Sequence, residues 1–105
     1  MEIGTDKGKK MTITKKLTED KIEIVGEYKN IQIRTATVIE EDGIEITRTF
    51  HRRILECVSS VKDEDAWIHT DTDVSSESAD VQGIASAVWT DSVKEAKKTA
   101  NERGE

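Results

Sequence analysis

The stretch that decides the fold is IQIRTATVIEEDGIEITRTFHRRIL, residues 31–55, in which two runs of alternating residues meet at Asp42 and Gly43. Asp-Gly between such runs is a strong hairpin signal, because glycine readily adopts the positive φ that a type I′ turn needs. With these two residues as the loop, Ile39 faces Ile46 and the apolar residues fall on one face. That predicted face consists of Ile31, Ile33, Ile39, Ile44, Ile46, Phe50 and Ile54.

The residues before this hairpin predict a further strand preceded by a tail. KIEIV, residues 21–25, alternates as the hairpin does, which brings the sheet to three or four strands. Residues 1–10, MEIGTDKGKK, hold two glycines and three lysines without an apolar period. We expect them to form a flexible N-terminal tail.

From about residue 76 the apolar period becomes helical. The stripe consists of Val81, Ile84, Ala85, Val88, Trp89, Ser92 and Ala96. Ser75 or Ser76 is the candidate N-cap of this helix. The capping-box spacing of Ser92 and Glu95 leaves open whether there is one helix or two. We expect residues 99–105 to form a flexible C-terminal tail.

These patterns predict an α+β fold, with an antiparallel β-meander of three to four strands followed by a C-terminal amphipathic helix packed on one sheet face. A chain of 105 residues has the length of one domain. We place that single domain at residues 11–98.

Charge and composition limit the classes of function. The net charge is −6, and residues 58–80 hold seven carboxylates against one lysine, so we interpret residues 58–76 as an acidic connection between sheet and helix. One cysteine, Cys57, excludes an intramolecular disulfide. No apolar run approaches the roughly 20 residues that a bilayer requires, so we expect no membrane association.

The basic residues of the hairpin and one tryptophan are the candidate binding residues: Arg34, Arg48, His51, Arg52, Arg53 and Trp67. Guanidinium groups can hold a phosphate, a nucleic acid or an acidic partner. The alternative, which we favour, is structural: Arg48 and Arg52 pack beside Phe50 and pair with carboxylates of residues 63–80. Trp67 similarly either pins the acidic connection onto the hairpin, the preferred interpretation, or anchors a partner.

Signals for other chemistry are weak. Nucleic-acid binding is disfavoured by the net negative charge and by the presence of only four aromatic residues other than histidine. HTDTD, residues 69–73, offers His69, Asp71 and Asp73 as weak metal ligands without the pattern of an EF-hand loop. No nucleophile, phosphate-loop or dinucleotide motif is present, so we expect neither enzymatic activity nor a cofactor.

The two segments KIEIVGEYKNIQIRTATVIEEDGIEITRTFHRRIL and SADVQGIASAVWTDSVKEA resemble small, functionally uncharacterised proteins encoded by tailed bacteriophages of marine bacteria. The resemblance covers roughly residues 12–98 and includes residues 34–37, 42–43, 50–52, 80–82 and 88–90. It implies a setting, the virion or the host cytoplasm, and assigns no residue a role.

The sequence thus predicts a non-enzymatic, virion-associated or interaction protein that acts as a homo-oligomer or through a protein partner, because the core is small and catalytic motifs are absent. The alternative is a nucleic-acid or phosphate-binding accessory protein that uses the arginine and histidine face of the hairpin.

Overall fold

The computed structural model describes residues 12–104. They form an α+β fold, as the sequence predicts, with five strands in two sheets followed by two helices. The elements are β1 (Ile13–Val25), β2 (Asn30–Glu41), β3 (Ile44–Leu55), β4 (Val58–Asp63), β5 (Ala66–Asp71), α1 (Ala79–Val88) and α2 (Asp91–Arg103). The predicted N-terminal tail, residues 1–10, lies outside the described residues.

The described residues divide into two compact units. The ribbon unit comprises residues 12–21 and Arg34–Arg52, and the helical unit comprises Ile22–Ile33 and residues 53–104. Strands β1, β2 and β3 form one sheet in that order, and each contributes residues to both units. Strands β4 and β5 form a separate sheet within the helical unit.

The turn of the central hairpin confirms the sequence prediction. Asp42 and Gly43 both have positive φ, 53° and 84°, and they lie between the end of β2 and the start of β3. This is the pattern of a two-residue type I′ loop, in which glycine accepts the left-handed conformation without strain. The side chain of Asp42 also accepts a hydrogen bond from the Thr12 amide at 3.0 Å, which ties the turn to the start of β1.

The prediction that the apolar residues of the hairpin share one face is wrong away from this turn. A two-residue loop places Arg34 and Phe50 on opposite faces, yet the Arg34 guanidinium lies 4.3 Å from the centre of the Phe50 ring. The pairing of β2 with β3 therefore shifts by one residue between the turn and this pair, as a β-bulge does. In the helical unit it is accordingly Leu55 that packs on the core, whereas Ile54 is exposed.

The helical unit has a buried core that α1 shares with β2 and β4. Two isoleucines of β2, the first residue of β4 with the cysteine before it, and one face of α1 with its C-cap tryptophan are buried together. The cluster consists of Ile31, Ile33, Cys57, Val58, Val81, Ala85 and Trp89. Burying a side chain the size of isoleucine contributes about 1.5–3 kcal/mol. The Trp89 indole N–H also donates to the Lys29 carbonyl at 2.7 Å, so this partly polar ring is buried with its hydrogen bond satisfied.

The acidic connection predicted at residues 58–76 contains a β-hairpin instead. Strands β4 and β5 are antiparallel, with Val58 opposite Asp71 and Asp63 opposite Ala66. The loop is Glu64 and Asp65, and Glu64 has a φ of 58°. The sequence pattern hides this hairpin because the loop lacks glycine and the strands are short and polar.

The C-terminal region forms two helices, which settles the alternative that the sequence leaves open. Ser78, rather than Ser75 or Ser76, caps α1 by accepting a bond from the Val81 amide. Thr90 caps α2 in the same way. Because α2 runs to Arg103 and ends at Gly104 with φ 81°, the tail predicted for residues 99–105 is helical over most of its length.

Candidate functional site

Most arginines of the basic cluster are held by carboxylates. Arg34 on β2 donates two hydrogen bonds to Asp20, at 3.0 and 2.8 Å, and its guanidinium lies over the Phe50 ring. These bonds lower the pKa of Asp20 below its usual value. Arg48 on β3 forms the same two-bond contact with Glu45, at 3.0 and 2.9 Å, and thereby lowers the pKa of Glu45. Both pairs belong to the ribbon unit.

The third arginine pair belongs to the helical unit. Arg53 donates to both carboxylate oxygens of Glu77, at 2.9 and 2.6 Å, and these hydrogen bonds lower the pKa of Glu77. The sequence predicts that residues 63–80 supply carboxylate partners for Arg48 and Arg52. The structure corrects this assignment, because the arginine that reaches the acidic segment is Arg53.

Two members of the predicted binding set have a different environment. Among residues 12–104, the side chains of Arg52 and His51 make no ion pair or hydrogen bond, and both are exposed on β3. A two-residue loop with no shift in pairing would place Arg34 opposite His51, whereas the Arg34 guanidinium contacts the Phe50 ring. Within the described part of the chain, Arg52 is therefore the one arginine of the hairpin whose guanidinium group does not bind a carboxylate.

Trp67 lies on β5 and is half-buried in its own hairpin. Its ring stacks on His69, with the ring centres 6.3 Å apart and the planes 4° from parallel. Lys62 of β4 lies opposite Trp67 in the register. The contacts that the structure gives for Trp67 thus belong to the β4 and β5 hairpin.

The three weak candidates for metal binding are each engaged separately. His69 contacts Ser60 and Glu102, Asp71 pairs with Lys94 at 3.0 Å, and Asp73 accepts from the Ser75 amide at 2.9 Å. That last bond lowers the pKa of Asp73. No group of three or more potential ligands converges within residues 12–104.

A hydrogen-bonded chain of polar side chains joins the β4 and β5 hairpin to the end of α2. Ser60 Oγ lies 2.6 Å from His69 Nδ1, and His69 Nε2 lies 2.7 Å from Glu102 Oε2. Asn101 also donates to Ser60 Oγ, at 2.9 Å. Ser60 and His69 are directly opposite each other in the register of the hairpin.

Sequence motifs do not reveal this chain, since Ser60 and Glu102 are 42 positions apart and belong to different elements. The one signal that could have found Ser60 and His69 together is a two-residue turn at Glu64 and Asp65, which makes them cross-strand neighbours. The contact with α2 depends on tertiary packing, which the sequence pattern does not report.

Two further features of the helical unit lack chemical groups aimed at a ligand. An open depression of about 340 Å³ lies beside Thr72, Gln82, Trp89 and Lys94, and Lys94 is already paired with Asp71. Cys57 is fully buried, and this burial raises the pKa of its thiol, which makes it a poor nucleophile.

The largest exposed apolar residues of the ribbon unit lie on its two edge strands. On β3, Ile44 is 69% exposed, Ile46 55% and Phe50 47%, while on β1 Ile13 is 56% exposed and Leu17 66%. Because the sheet order is β1, β2, β3, each of these strands pairs with β2 alone. An edge strand that is both long and apolar is a ready template for pairing with another chain.

The comparisons with known proteins add no relative. No protein-family model, curated protein or solved structure matches this chain. In residues 12–104, no helix combines the length and the apolar character needed to span a membrane.

Proposed function

We propose that this chain is an interaction protein that works as a homo-oligomer, in which the exposed strand β3 of the ribbon unit contacts a second copy. The observation that carries the proposal is the exposure of β3. Ten of its twelve residues are exposed, and only Arg53 and Leu55 are half-buried. Monomeric proteins usually shorten, charge or cover such an edge.

Charge order along β3 favours a second copy as the occupant. Glu45 lies near the beginning of the strand, and Arg52 lies near its end. Antiparallel pairing of two copies about a two-fold axis brings the acidic end of one strand to the basic end of the other. The Arg52 side chain, which has no partner among residues 12–104, then lies near Glu45 of the other copy, a carboxylate that it shares with Arg48. The same pairing covers the exposed Ile44, Ile46 and Phe50.

Nucleic-acid or phosphate binding is the alternative function, and Arg52 and His51 are the groups that support it. It is the weaker proposal because Arg34, Arg48 and Arg53 already hold carboxylates. An anion has to displace those carboxylates, on a chain whose net charge is −6. A virion-associated setting is a proposal that rests on the phage resemblance alone.

Light scattering after size exclusion, over a range of concentrations, tests the homo-oligomer. We expect the wild-type mass to be a multiple of the 11.8 kDa chain. Ile46→Lys places a charge in the contact and should give a monomer. Val61→Lys is the matched control, since Val61 is 61% exposed but lies on β4 in the helical unit; it should keep the wild-type mass.

A wild-type protein that stays monomeric at the highest concentration contradicts the proposal. So does a loss of assembly in Val61→Lys that equals the loss in Ile46→Lys, because the contact is then not specific to β3. A wild-type monomer that binds DNA at ~50 mM salt, with affinity falling as salt rises, supports the alternative instead.

A further inference from the structure

We propose that Ser60 is an activated nucleophile that accepts acyl groups from carboxylic esters, with His69 as its general base. This activity is independent of the contact through β3, because every residue involved lies in the helical unit. The proposal rests on the geometry of four side chains, two from the β4 and β5 hairpin and two from the last turn of α2.

Base and nucleophile are within hydrogen-bond distance. Ser60 Oγ is 2.6 Å from His69 Nδ1, and the opposite nitrogen of the ring is 2.7 Å from Glu102. An ionised carboxylate only accepts hydrogen bonds, so Nε2 carries the proton toward Glu102. In the neutral imidazole, Nδ1 is then the acceptor, and the Ser60 hydroxyl donates to it. This is the arrangement of nucleophile, base and orienting carboxylate that activates a serine.

Asn101 supplies the remaining element of an acyl-transfer site. Its amide nitrogen lies 2.9 Å from Ser60 Oγ and donates to it. An amide donor at this distance from the nucleophile can also donate to the oxygen that becomes negative when a carbonyl carbon is attacked. The Trp67 ring, parallel to His69, offers a flat apolar surface beside the base, which suits an aromatic or otherwise planar ester.

Solvent reaches this group of side chains. The His69 side chain is 17% exposed and that of Glu102 is 45% exposed, while Ser60 is half-buried in β4. A small ester can therefore approach the hydroxyl without unfolding of the hairpin. The same bonds also hold α2 against β4 and β5, so the test must distinguish reactivity from a purely structural contact.

The proposed reaction has two steps, acylation of Ser60 and hydrolysis of the acyl group. Ser60 Oγ attacks the ester carbonyl carbon while its proton passes to His69 Nδ1, and the bond from that carbon to the leaving alcohol breaks as His69 protonates the alcohol. A water molecule then adds to the acyl carbon and gives a proton to His69. The bond from the acyl carbon to Ser60 Oγ then breaks, the carboxylic acid leaves, and Ser60 Oγ recovers the proton from His69.

The first experiment is labelling of the wild-type protein with a fluorophosphonate reagent, followed by mass spectrometry of the digested chain. We expect the phosphonyl group on Ser60 and not on Ser59, its exposed neighbour, which lies opposite Thr70 rather than His69. Labelling of both serines to the same extent, or of neither, overturns the proposal. The result does not depend on whether any variant folds.

The second experiment is release of p-nitrophenol from p-nitrophenyl acetate. Ser60→Ala should reduce the rate to the background of the buffer, whereas Ser59→Ala leaves it unchanged. His69→Asn and Asn101→Ala should each lower it on the order of 100-fold. Wild-type and Ser60→Ala proteins that release p-nitrophenol at equal rates also overturn the proposal.

Glu102 is a positioning residue, because it acts through His69. Glu102→Gln removes the charge that favours the imidazolium formed during attack, so the rate should fall while the melting temperature changes little. Glu102→Asp, which keeps the charge on a shorter side chain, should recover part of the rate. Equal rates in wild type and Glu102→Gln contradict this role.

Discussion

The helical unit and the ribbon unit divide the apolar residues of this chain unequally. In the helical unit, Ile31 and Ile33 of β2 are fully buried against α1. In the ribbon unit, the buried apolar residues are Ala36 and Val38, while Ile44 is 69% exposed and Leu17 66%. Of the three strands shared by the units, β2 thus supplies the fully buried isoleucines of the helical unit, while the edge strands β1 and β3 carry the large exposed apolar residues of the ribbon unit.

This difference shows that alternation along a strand does not by itself define a core. Alternation places apolar side chains on a face, but only a second layer removes them from water. In the helical unit that layer is α1, whose Val81 and Ala85 are buried. In the ribbon unit, the described residues leave a large fraction of the Ile46 and Phe50 side chains exposed to water. In the proposed homo-oligomer, the second copy covers these side chains.

The largest expected effect tests where the stability resides. Ile31→Ala leaves a cavity in the core of the helical unit and should lower the free energy of unfolding by about 2–5 kcal/mol. Ile46→Ala on β3, measured at a concentration where the protein is monomeric, should change it by less than about 0.5 kcal/mol. Urea denaturation followed by tryptophan fluorescence measures both. Equal losses in the two variants would show that the ribbon unit carries a core of its own.

The sequence predicts the fold class and the central turn because those signals are local. Asp42 and Gly43 specify a type I′ turn through their own backbone preferences, and Val81, Ala85 and Trp89 specify a helix face through spacing alone. The register beyond the turn is not local. A one-residue shift between the turn and the contact of Arg34 with Phe50 leaves no mark in the pattern.

The candidate site is less predictable than the fold for the same reason. The association of arginines with carboxylates follows from charge, but Asp20 as the partner of Arg34 depends on how β1 pairs with β2. Ser60 and His69 meet only because Glu64 and Asp65 form a turn that lacks glycine. A sequence motif records separation along one chain segment, whereas these contacts join different elements.

A smaller effect is expected from the ion pairs of the two units, whose contributions to stability depend on pH. Arg53 holds the pKa of Glu77 below its ordinary value of 4.5, so the pair stabilises the native state at neutral pH. That contribution is present above the ordinary pKa and is lost as the pH falls through the lowered one. Because Arg53 is 36% exposed, solvent screening limits it to about 1 kcal/mol.

Glu77→Gln should therefore lower stability at pH 7 and flatten the loss of stability between neutral and acidic pH, as measured by thermal unfolding at a series of pH values. Glu45→Gln is the matched variant in the ribbon unit. Glu45 is 42% exposed, compared with 13% for Glu77, so its pH profile should stay closer to wild type. A larger change in Glu45→Gln would reverse the ranking of the two pairs.

The smallest effect tests the corrected register directly. If the Arg34 guanidinium lies over the Phe50 ring, a double-mutant cycle of Arg34→Met and Phe50→Leu should give a coupling energy of about 0.5–1 kcal/mol in urea denaturation. The bond from Arg34 to Asp20 cancels, because both variants with Met at position 34 lack it. The control cycle pairs Arg34→Met with Ile44→Ala and should give no coupling. Equal coupling energies in the two cycles would contradict this contact and indicate that Arg34 and Phe50 lie on opposite faces of the sheet.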